Sequence, residues 1–483
     1  MLIELLMKLN LNEYNPMNLK NKLDKFSFLK TASNLAEEVG VEVYVVGGFN
    51  RDLILNKEVE DIDFLIVGDV LKYAQSFAAL FGINDVVVFK TFGTAHFTHE
   101  GLNFEFVAAR KESYKKSSRK PLVSEGSFSD DISRRDFTIN TIAVSVLKEN
   151  FGEVIDRFNG IDDIENKLIR TPLDPNITFD DDPLRILRAF RFASQLNFRV
   201  DESLLKSAEE LRERLDIVSQ ERKTDEFLKI LKSPKPSVGL KLLQSTKVME
   251  VIFPEISQMI GVEQRAEYHH KDVFYHTLEV VDNISKKTND VWLRFAALVH
   301  DIAKPKTKRF VEGTGWTFHG HEELGARMMK SIFRRMKLPM NKLDYMEKLV
   351  RLHLRPIALV NDEVSDSAIR RLIVAADEDL EDLITLCRAD ITSKNPEKVE
   401  RYLQNYEIVM KKVWEVKEKD KLRAFQSPVS GEVIMNVCKL EPSKKVGEIK
   451  TAIEEAILDG VIGNNYEEAY EYLLKIKDQY LDS

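Results

Sequence analysis

The chain has 483 residues, of which 43% are hydrophobic and 31% are charged, as in soluble globular proteins with several domains. Its net charge of −8 excludes a uniformly basic nucleic-acid-binding protein, so any RNA contact must come from local basic patches. The two cysteines give no disulfide framework or zinc spacing, and no segment reads as a signal peptide or a membrane span, so we expect a cytoplasmic protein.

The first strongly patterned stretch begins near residue 44. Residues 1–28 are rich in Asn and Lys, and we expect a loose or peripheral lead-in there, followed by a helix over 28–38. Residues 44–46 predict a buried strand. Gly47 and Gly48 then predict a sharp turn whose backbone can approach a phosphate closely.

Two aspartates follow on a second predicted strand, residues 61–67. Residues two apart on a strand point to one side, so Asp61 and Asp63 project together, with Ile62 and Phe64 on the other face. Paired carboxylates suit Mg²⁺, and the glycine turn offers N–H groups to a triphosphate. Exposed strand aspartates and glycine turns are each common, but their combination in this order favours metal-dependent nucleotidyl transfer.

This stretch resembles the first motif of the nucleotidyltransferase superfamily that includes DNA polymerase beta. More narrowly, it resembles class II tRNA nucleotidyltransferases (CCA-adding enzymes) and bacterial poly(A) polymerases. The resemblance implies nucleotide contacts from Gly47, Gly48, Arg51 and Asp52. Asn50 departs from the family pattern, which has a small apolar residue there, and we expect its polar side chain to loosen the glycine turn.

Further strands are predicted at 86–89, 96–97 and 102–108. The last carries Glu105, which is either the third carboxylate of a two-metal site or an ordinary solvent-facing glutamate. Residues 110–129 contain many lysines and serines, and we expect a flexible loop.

Residues 130–143 predict a helix with polar groups at its start. Arginine forks match phosphates, and Asp136 can accept a hydrogen bond from a ribose hydroxyl. This stretch and the turn at 156–160 resemble the second and third family motifs. The resemblance implies that Arg135, Asp136 and Asn140 hold the incoming nucleotide.

A helical region then opens with D-D-D-P-L-R-I-L-R, residues 180–188. Three-residue spacing places Asp182, Arg185 and Arg188 on one helix face. Asp182 and Arg185 can pair with the Watson–Crick edge of a base, although a surface salt-bridge ladder would show the same spacing. The stretch resembles the fourth family motif, E-D-x-x-R, with Asp181 in place of Glu.

Residues from about 259 to 395 hold a spaced set of metal-ligand side chains in the order H, HD, H, H, D. They resemble the HD metal-dependent phosphohydrolase superfamily. The resemblance implies a metal site with the ligands His276, His300, Asp301 and Asp390, and a second metal completed by His321 and His353. Mixed His/Asp ligands suit Ni, Mn, Co, Fe or Zn, and a domain retained for packing is the alternative.

The predicted fold class is α+β, with a nucleotidyltransferase head built on a mixed sheet and all-α regions after it. The predicted segments are a lead-in 1–28, the head 29–172, a helical neck 173–258, the HD domain 259–395 and a tRNA-binding helical tail 396–483. The neck includes S-Q-E-R with Glu226, which resembles a fifth motif that steadies the base-reading helix.

The resemblance implies an enzyme that adds CCA to tRNA 3′ ends from CTP and ATP, with Mg²⁺ at Asp61 and Asp63. A poly(A) polymerase would share the motifs. A third alternative is an HD-type phosphodiesterase or phosphatase with an inactive head. The intact D-I-D at residues 61–63 makes this alternative less favoured. CC-only or A-only addition, the HD metal and the oligomeric state stay open.

Overall fold

The computed structural model describes residues 18–89, 93–115, 118–263, 272–360, 365–393, 395–423, 427–458, 461–463 and 465–481. The chain divides into two compact units, residues 1–350 and 351–483. A sheet-containing head followed by helical regions confirms the predicted fold class. Within the described part of the chain, no helix combines the length and apolar character that crossing a bilayer requires.

One sheet organises the head. The strands of the head are β1 (Glu42–Val46), β2 (Asp61–Val67), β3 (Val87–Phe89), β4 (Thr94–His99), β5 (Leu102–Ala108), β6 (Arg110–Lys115), β7 (Ser118–Glu125), β8 (Ala143–Ser145) and β9 (Val154–Ile155). Seven of them form a sheet in the order β3-β4-β5-β2-β1-β8-β9, and β6 pairs with β7 separately. Within the seven-stranded sheet, β2 and β5 run parallel, and the other described neighbours run antiparallel.

The first four helices of the head pack on the sheet face that carries Ile62 and Phe64. The helices of the head are α1 (Lys20–Leu23), α2 (Ser27–Val39), α3 (Gly48–Ile54), α4 (Val70–Leu80), α5 (Phe128–Ser133) and α6 (Gly160–Glu165). Phe64 of β2 stacks on Phe106 of β5 with ring centroids 5.1 Å apart, and Phe77 of α4 packs on both. Ile62 and Phe64 are buried, so the predicted alternation along β2 is confirmed and the aspartates occupy the opposite face.

Residues 1–17 of the predicted lead-in lie outside the described residues, and from residue 18 onward the lead-in is neither loose nor peripheral. Leu19, Leu23 and Phe28 are buried in the core of the head. The Leu19 N–H donates to the Gly152 carbonyl at 2.9 Å. Leu19 and Leu23 are four residues apart and share a helix face, a short apolar pattern that the surrounding polar residues obscure.

Two other predictions in the head are wrong. The expected loop at 110–129 contains the antiparallel pair β6 and β7, since a two-stranded ladder can form with little apolar patterning. The expected helix over 130–143 ends at Ser133, after a capping box between Ser127 and Asp130. The chain then makes a short 3-10 turn, Thr138–Asn140, before β8.

The rest of the first unit is mainly helical. Its helices are α7 (Pro175–Asp181), α8 (Leu184–Leu196), α9 (Glu202–Glu210), α10 (Gln220–Lys232), α11 (Pro236–Ser245), α12 (Val248–Ile252), α13 (Pro254–Ser257), α14 (Val273–Ser285), α15 (Val291–Val299), α16 (Lys304–Thr307), α17 (His321–Met336) and α18 (Leu343–Leu352). Two short strand pairs join β10 (Leu168–Ile169) to β11 (Arg199–Val200) and β12 (Arg309–Val311) to β13 (Gly315–Thr317). Buried Arg294 donates to the carbonyls of Leu231 and Ser233 at 2.8 and 2.9 Å, which ties α15 to the end of α10.

The second unit is helical in its described part. Its helices are α19 (Arg355–Ala358), α20 (Asp366–Ala376), α21 (Leu380–Ala389), α22 (Pro396–Arg423), α23 (Gly431–Cys438), α24 (Lys444–Leu458) and α25 (Tyr466–Leu481). Ile449, Ile453 and Leu473 lie at the centre of a small apolar core. This agrees with the predicted helical tail.

Candidate active site

A glycine turn joins β1 to α3 at the edge of the site. Gly47 has φ +75°, a conformation that side chains other than glycine rarely adopt. A Cβ atom at Gly47 would lie 2.8 Å from Asp63 Oδ2 and 3.4 Å from Arg135 Nη1. Glycine therefore allows a carboxylate and a guanidinium to lie directly against the turn.

Three predicted carboxylates share one sheet face. Asp61 and Asp63 lie on β2, and the parallel register places Asp63 opposite Glu105 on β5. Asp61 and Glu105 are exposed, and Asp63 is half-buried. Burial, followed by the negative charge of Glu105, raises the pKa of Asp63 to about 6, although Arg135 acts in the opposite direction.

This carboxylate face fits Mg²⁺. Its donors are carboxylate oxygens, the ligands that hard cations prefer. The mutual repulsion that raises the pKa of Asp63 would be relieved by a bound cation. The sequence left Glu105 as either a third metal-site carboxylate or a solvent-facing glutamate. Its position opposite Asp63 is one from which it could be the third carboxylate of a metal site.

Asn50 tightens the turn, contrary to the sequence-based expectation. Its side chain is fully buried, and Nδ2 donates to the carbonyls of Val45 at 2.7 Å and Ile142 at 2.9 Å. These bonds connect the end of β1 to the residue before β8. Two backbone acceptors thus satisfy the amide nitrogen, whereas buried Oδ1 has no hydrogen-bond partner in the described part of the chain.

Arg51 is held by two partners. Its Nε and Nη2 atoms donate to the two carboxylate oxygens of Asp52 at 3.0 and 2.7 Å, and Nη1 donates to Asn140 Oδ1 at 2.8 Å. Arg135 is held in the same way, because its Nη2 lies 3.0 Å from Oδ2 of fully buried Asp131. Both cations are therefore oriented before any ligand binds.

Buried Asp136 forms an ion pair with half-buried Arg188 of α8. Arg188 Nε and Nη2 lie 2.8 and 2.5 Å from Asp136 Oδ2. Asp136 Oδ1 accepts from the Phe137 N–H and from Asn140 Nδ2. Burial alone would raise the pKa of Asp136, but Arg188 and these hydrogen bonds outweigh it and hold the pKa below its usual range.

These residues meet around one cavity of about 1120 Å³, a volume that suits a nucleoside triphosphate. Its wall includes most of the head residues predicted from sequence, namely Gly47, Gly48, Arg51, Asp52, Asp61, Asp63, Glu105, Arg135, Asp136, Asn140 and Arg188. Of the described residues that the sequence predicted here, Asp182 and Arg185 do not line it.

The prediction that Asp182 and Arg185 share one helix face is wrong. Asp182 has extended backbone and precedes α8. Arg185 donates to the carbonyls of Arg134 at 2.6 Å and Thr178 at 3.3 Å. Their proposed role in reading a base stays a prediction.

Sequence reasoning missed Arg191 and Phe192 on the cavity wall. Arg191 Nη1 lies 3.0 Å from Oε1 of Glu226, the glutamate of the fifth motif. The guanidinium groups of Arg51, Arg188 and Arg191 lie 5.1, 5.6 and 4.4 Å from the centre of the Phe192 ring. The three-residue spacing from Arg188 to Arg191 could have indicated a longer basic face.

A second cluster lies far along the chain. His276 lies on α14, His300 and Asp301 follow α15, and His321 begins α17. All four are buried. The Nε2 atoms of His276 and His300 lie 3.7 and 3.3 Å from Asp301 Oδ2, and His321 Nε2 lies 3.2 Å from Asp301 Oδ1.

The donor set of this cluster fits a metal. Nδ1 of His300 and Nδ1 of His321 each lie 2.8 Å from a backbone carbonyl, which turns Nε2 toward Asp301. Burial alone would raise the pKa of Asp301, but the charges of His300 and Lys304 and the histidine hydrogen bonds hold it well below its usual range. An ionised carboxylate among imidazole nitrogens suits a transition metal.

The two remaining predicted ligands lie in the second unit. His353 is buried, and its carbonyl accepts from Cys387 Sγ at 3.0 Å. Asp390 directly follows α21, and its charge adds to the effect of burial in raising the pKa of Cys387. Their place in one metal site with His276 and Asp301 stays a prediction.

A glycine turn, a carboxylate face and a triphosphate-sized cavity are the features expected of a nucleotidyltransferase head. Family models agree along the chain. "Poly A polymerase head domain" matches residues 43–170, "Probable RNA and SrmB- binding site of polymerase A" matches 197–260, and "HD domain" matches 273–395.

Individual relatives narrow the class. The A-adding tRNA nucleotidyltransferase of Deinococcus radiodurans is 31% identical over 347 residues, which cover 70% of this chain and 77% of that protein. The A-adding tRNA nucleotidyltransferase of Aquifex aeolicus is 36% identical over 283 residues, which cover 56% of this chain and 32% of that protein. The aligned part thus spans about a third of the Aquifex relative. The chain belongs to the tRNA nucleotidyltransferase family.

A solved structure extends the likeness in fold. A CCA-adding enzyme in its apo form II has a TM-score of 0.63 and 22% sequence identity, over 95% of this chain and 99% of that one.

Proposed function

We propose that the head transfers nucleotides from CTP and ATP to the 3′ end of tRNA and so builds CCA. The observation that carries this proposal is the face formed by Asp61, Asp63 and Glu105, which lines the same cavity as Arg135 and Arg188. Membership of the tRNA nucleotidyltransferase family supports tRNA as the acceptor.

The reaction joins the tRNA 3′-hydroxyl oxygen to the α-phosphorus, breaks the bond from that phosphorus to the bridging oxygen, and releases pyrophosphate, while the hydroxyl proton is lost to solvent. Asp61 and Asp63 would hold Mg²⁺, which supplies charge neutralisation at the phosphates and lowers the pKa of the attacking hydroxyl. The glycine turn and Arg135 contact the triphosphate, because N–H groups and guanidinium forks match phosphate oxygens. The Asp136–Arg188 pair lies at the cavity wall, where it can orient the sugar.

A second candidate is addition of the terminal A alone, which the names of the two curated relatives favour. One experiment separates the two candidates. Transcripts of tRNA lacking CCA and tRNA ending in CC are incubated with CTP, ATP or both, and the product ends are sequenced. CCA on the first substrate supports full addition, A on the second alone supports the restricted activity, and long A tails would indicate a poly(A) polymerase.

Two variants test the carboxylates. Asp61→Ala and Asp63→Ala should each abolish addition while the fold is retained, since both side chains lie on a solvent-accessible sheet face. Asp85→Ala, at an exposed carboxylate that is not part of the cavity wall, is the matched control and should stay active. Near-normal addition by both Asp61→Ala and Asp63→Ala would refute the metal assignment.

We also propose a metal-dependent phosphohydrolase in the HD region, because His276, His300, Asp301 and His321 converge on one buried point. A transition metal (Ni, Mn, Co, Fe or Zn) bound there would lower the pKa of a bound water. Its substrates would be RNA ends bearing 2′,3′-cyclic or 3′-phosphates. The residues of this cluster do not line the head cavity among the described residues, so the two activities should separate.

Metal analysis of the purified protein tests this second proposal. We expect bound metal and hydrolysis of a 2′,3′-cyclic phosphate. His321→Gln should lose both and retain nucleotide addition. No bound metal, together with no hydrolysis when each metal is supplied, would make the HD region a structural domain.

A further inference from the structure

A series of side-chain hydrogen bonds lies on the same sheet face as the Asp63–Glu105 pair, two residues along the strands. The parallel register places Asp61 opposite Asn103 of β5, and the antiparallel register places Asn103 opposite Thr98 of β4. Asn103 Nδ2 donates to Asp61 Oδ1 at 2.9 Å, and Thr98 Oγ1 donates to Asn103 Oδ1 at 2.8 Å. The three residues line the large cavity.

The chemistry of the three groups sets the direction of this series. An ionised carboxylate only accepts hydrogen bonds, so the amide must turn its NH₂ group toward Asp61. The amide oxygen of Asn103 then faces Thr98, whose hydroxyl hydrogen can rotate to meet it. The series therefore has one favourable arrangement, and it ends on a single oxygen of Asp61.

Asp61 needs such a restraint more than Asp63 does. Asp63 is half-buried between the glycine turn and Glu105. Asp61 is exposed, and an exposed aspartate is held only weakly in any one rotamer unless a hydrogen bond restrains it. The bond to Oδ1 leaves Oδ2 to meet a cation.

We propose that Asn103 is a positioning residue that orients Asp61 toward the head metal, and that Thr98 supports it by orienting the amide. This inference rests on the proposed function, in which Asp61 is a ligand of Mg²⁺. Partners of this kind commonly change metal affinity by about 10- to 100-fold when they are removed. The three residues of this relay, Thr98, Asn103 and Asp61, are exposed, so for Asn103→Leu we expect a loss of metal affinity at the lower end of this range, about 10-fold.

Thr98→Val should have a smaller effect, because the amide keeps its bond to Asp61 and loses only its own orienting partner. We expect about 3-fold weaker metal binding, as for loss of one neutral hydrogen bond at a distance. Thr94→Val is the matched control. This variant makes the same change of side chain on the same strand, and Thr94 is not among the described residues that line the cavity.

Binding of Mn²⁺ to the full chain, followed by electron paramagnetic resonance, tests the inference without relying on activity. The sites that disappear in an Asp61→Ala/Asp63→Ala double variant are those of the head. Their dissociation constant should rise about 10-fold in Asn103→Leu and stay unchanged in Thr94→Val. Equal Mn²⁺ affinity of the head sites in Asn103→Leu, Thr98→Val and the wild type would refute the proposed positioning role of Asn103.

Kinetics give a second readout. In Asn103→Leu, high Mg²⁺ should restore the rate of addition, and the KM for ATP should stay near the wild-type value. A rate loss that no Mg²⁺ concentration restores would contradict a positioning role. If the double variant binds as much Mn²⁺ as the wild type, the head metal assignment fails as well, so the two failures are distinguishable. Circular dichroism confirms folding of each variant, and Thr98→Val tests the same relay if Asn103→Leu is unstable.

Discussion

Replacement of Arg188 by Met should weaken the head through Asp136. The change keeps the length of the side chain and removes the guanidinium that lies 2.8 Å from Asp136 Oδ2. Asp136 is only 8% exposed, so its charge would then lose its direct ion-pair partner and be compensated only by the charge of Arg185 and its remaining hydrogen bonds. An uncompensated buried charge is among the costlier defects in a folded protein.

The expected cost can be scaled from the surroundings. Removal of one partner of a buried ion pair typically costs about 3–5 kcal/mol. The Arg188 side chain is 34% exposed, and Asp136 would keep its bonds from the Phe137 N–H at 2.9 Å and Asn140 Nδ2 at 3.0 Å. We therefore expect the free energy of local unfolding around Asp136 to fall by about 2–3 kcal/mol at neutral pH.

The pH dependence of this difference has a definite sign. In the wild type the pKa of Asp136 is depressed, so its contribution to stability is present above the unfolded pKa and is lost as the pH falls through the folded pKa. In Arg188→Met, burial should raise that pKa, so the variant protonates Asp136 earlier on acidification. The gap between the two proteins should be largest near pH 7 and should narrow below about pH 5.

Hydrogen exchange of peptides covering residues 137–146 measures this local opening, after correction for the intrinsic exchange rate at each pH. Arg327→Met is the matched control, since Arg327 is 71% exposed in its pair with Glu323 and should contribute less than about 0.5 kcal/mol. A loss below that value in Arg188→Met, or a gap that widens as the pH falls, would refute the reasoning.

Three further predictions follow from the head. The apparent affinity for Mg²⁺ should fall about tenfold for each pH unit below 6, because protons compete for Asp63 once the pH drops below its pKa of about 6. In Mg²⁺ titrations at several pH values, this loss of affinity should begin at a lower pH in Glu105→Gln, because the negative charge of Glu105 helps to raise that pKa. Asn50→Val should destabilise the head by about 1–2 kcal/mol, measured by hydrogen exchange, because two buried carbonyls lose their donor, and greater stability would contradict this. Asp182→Ala and Arg185→Ala should increase misincorporation of UTP and GTP on tRNA, and unchanged selectivity would remove these residues from base reading.

The part of the site that the sequence predicted well depends on short-range geometry. Asp61 and Asp63 had to share a face once β2 was recognised as a strand, because side chains alternate along any strand. The turn at Gly47 lies next to β1 in sequence. In each case the relevant atoms are separated by a few residues, and local rules are enough to place them.

Long-range register lies beyond such rules. Glu105 meets Asp63 only because β5 pairs in parallel with β2 in one particular register, and a shift of one residue would turn Glu105 to the opposite face. Asn50 shows the same limit. It departs from the family pattern locally, yet one of its two acceptors, the Ile142 carbonyl, belongs to a residue 92 positions away.

The misplaced Asp182 is different, because the sequence did contain the necessary signal. Pro183 follows it directly, and a residue before proline is driven out of the helical region by contact with the proline ring. Asp182 accordingly has φ −138° and ψ 100°, and the helix begins at Leu184. Three-residue spacing implies a shared face only along an unbroken helix. Reading of a base by Asp182 together with Arg185 would therefore require Arg185 to leave the carbonyls of Arg134 and Thr178, a rearrangement that nucleotide binding would have to drive.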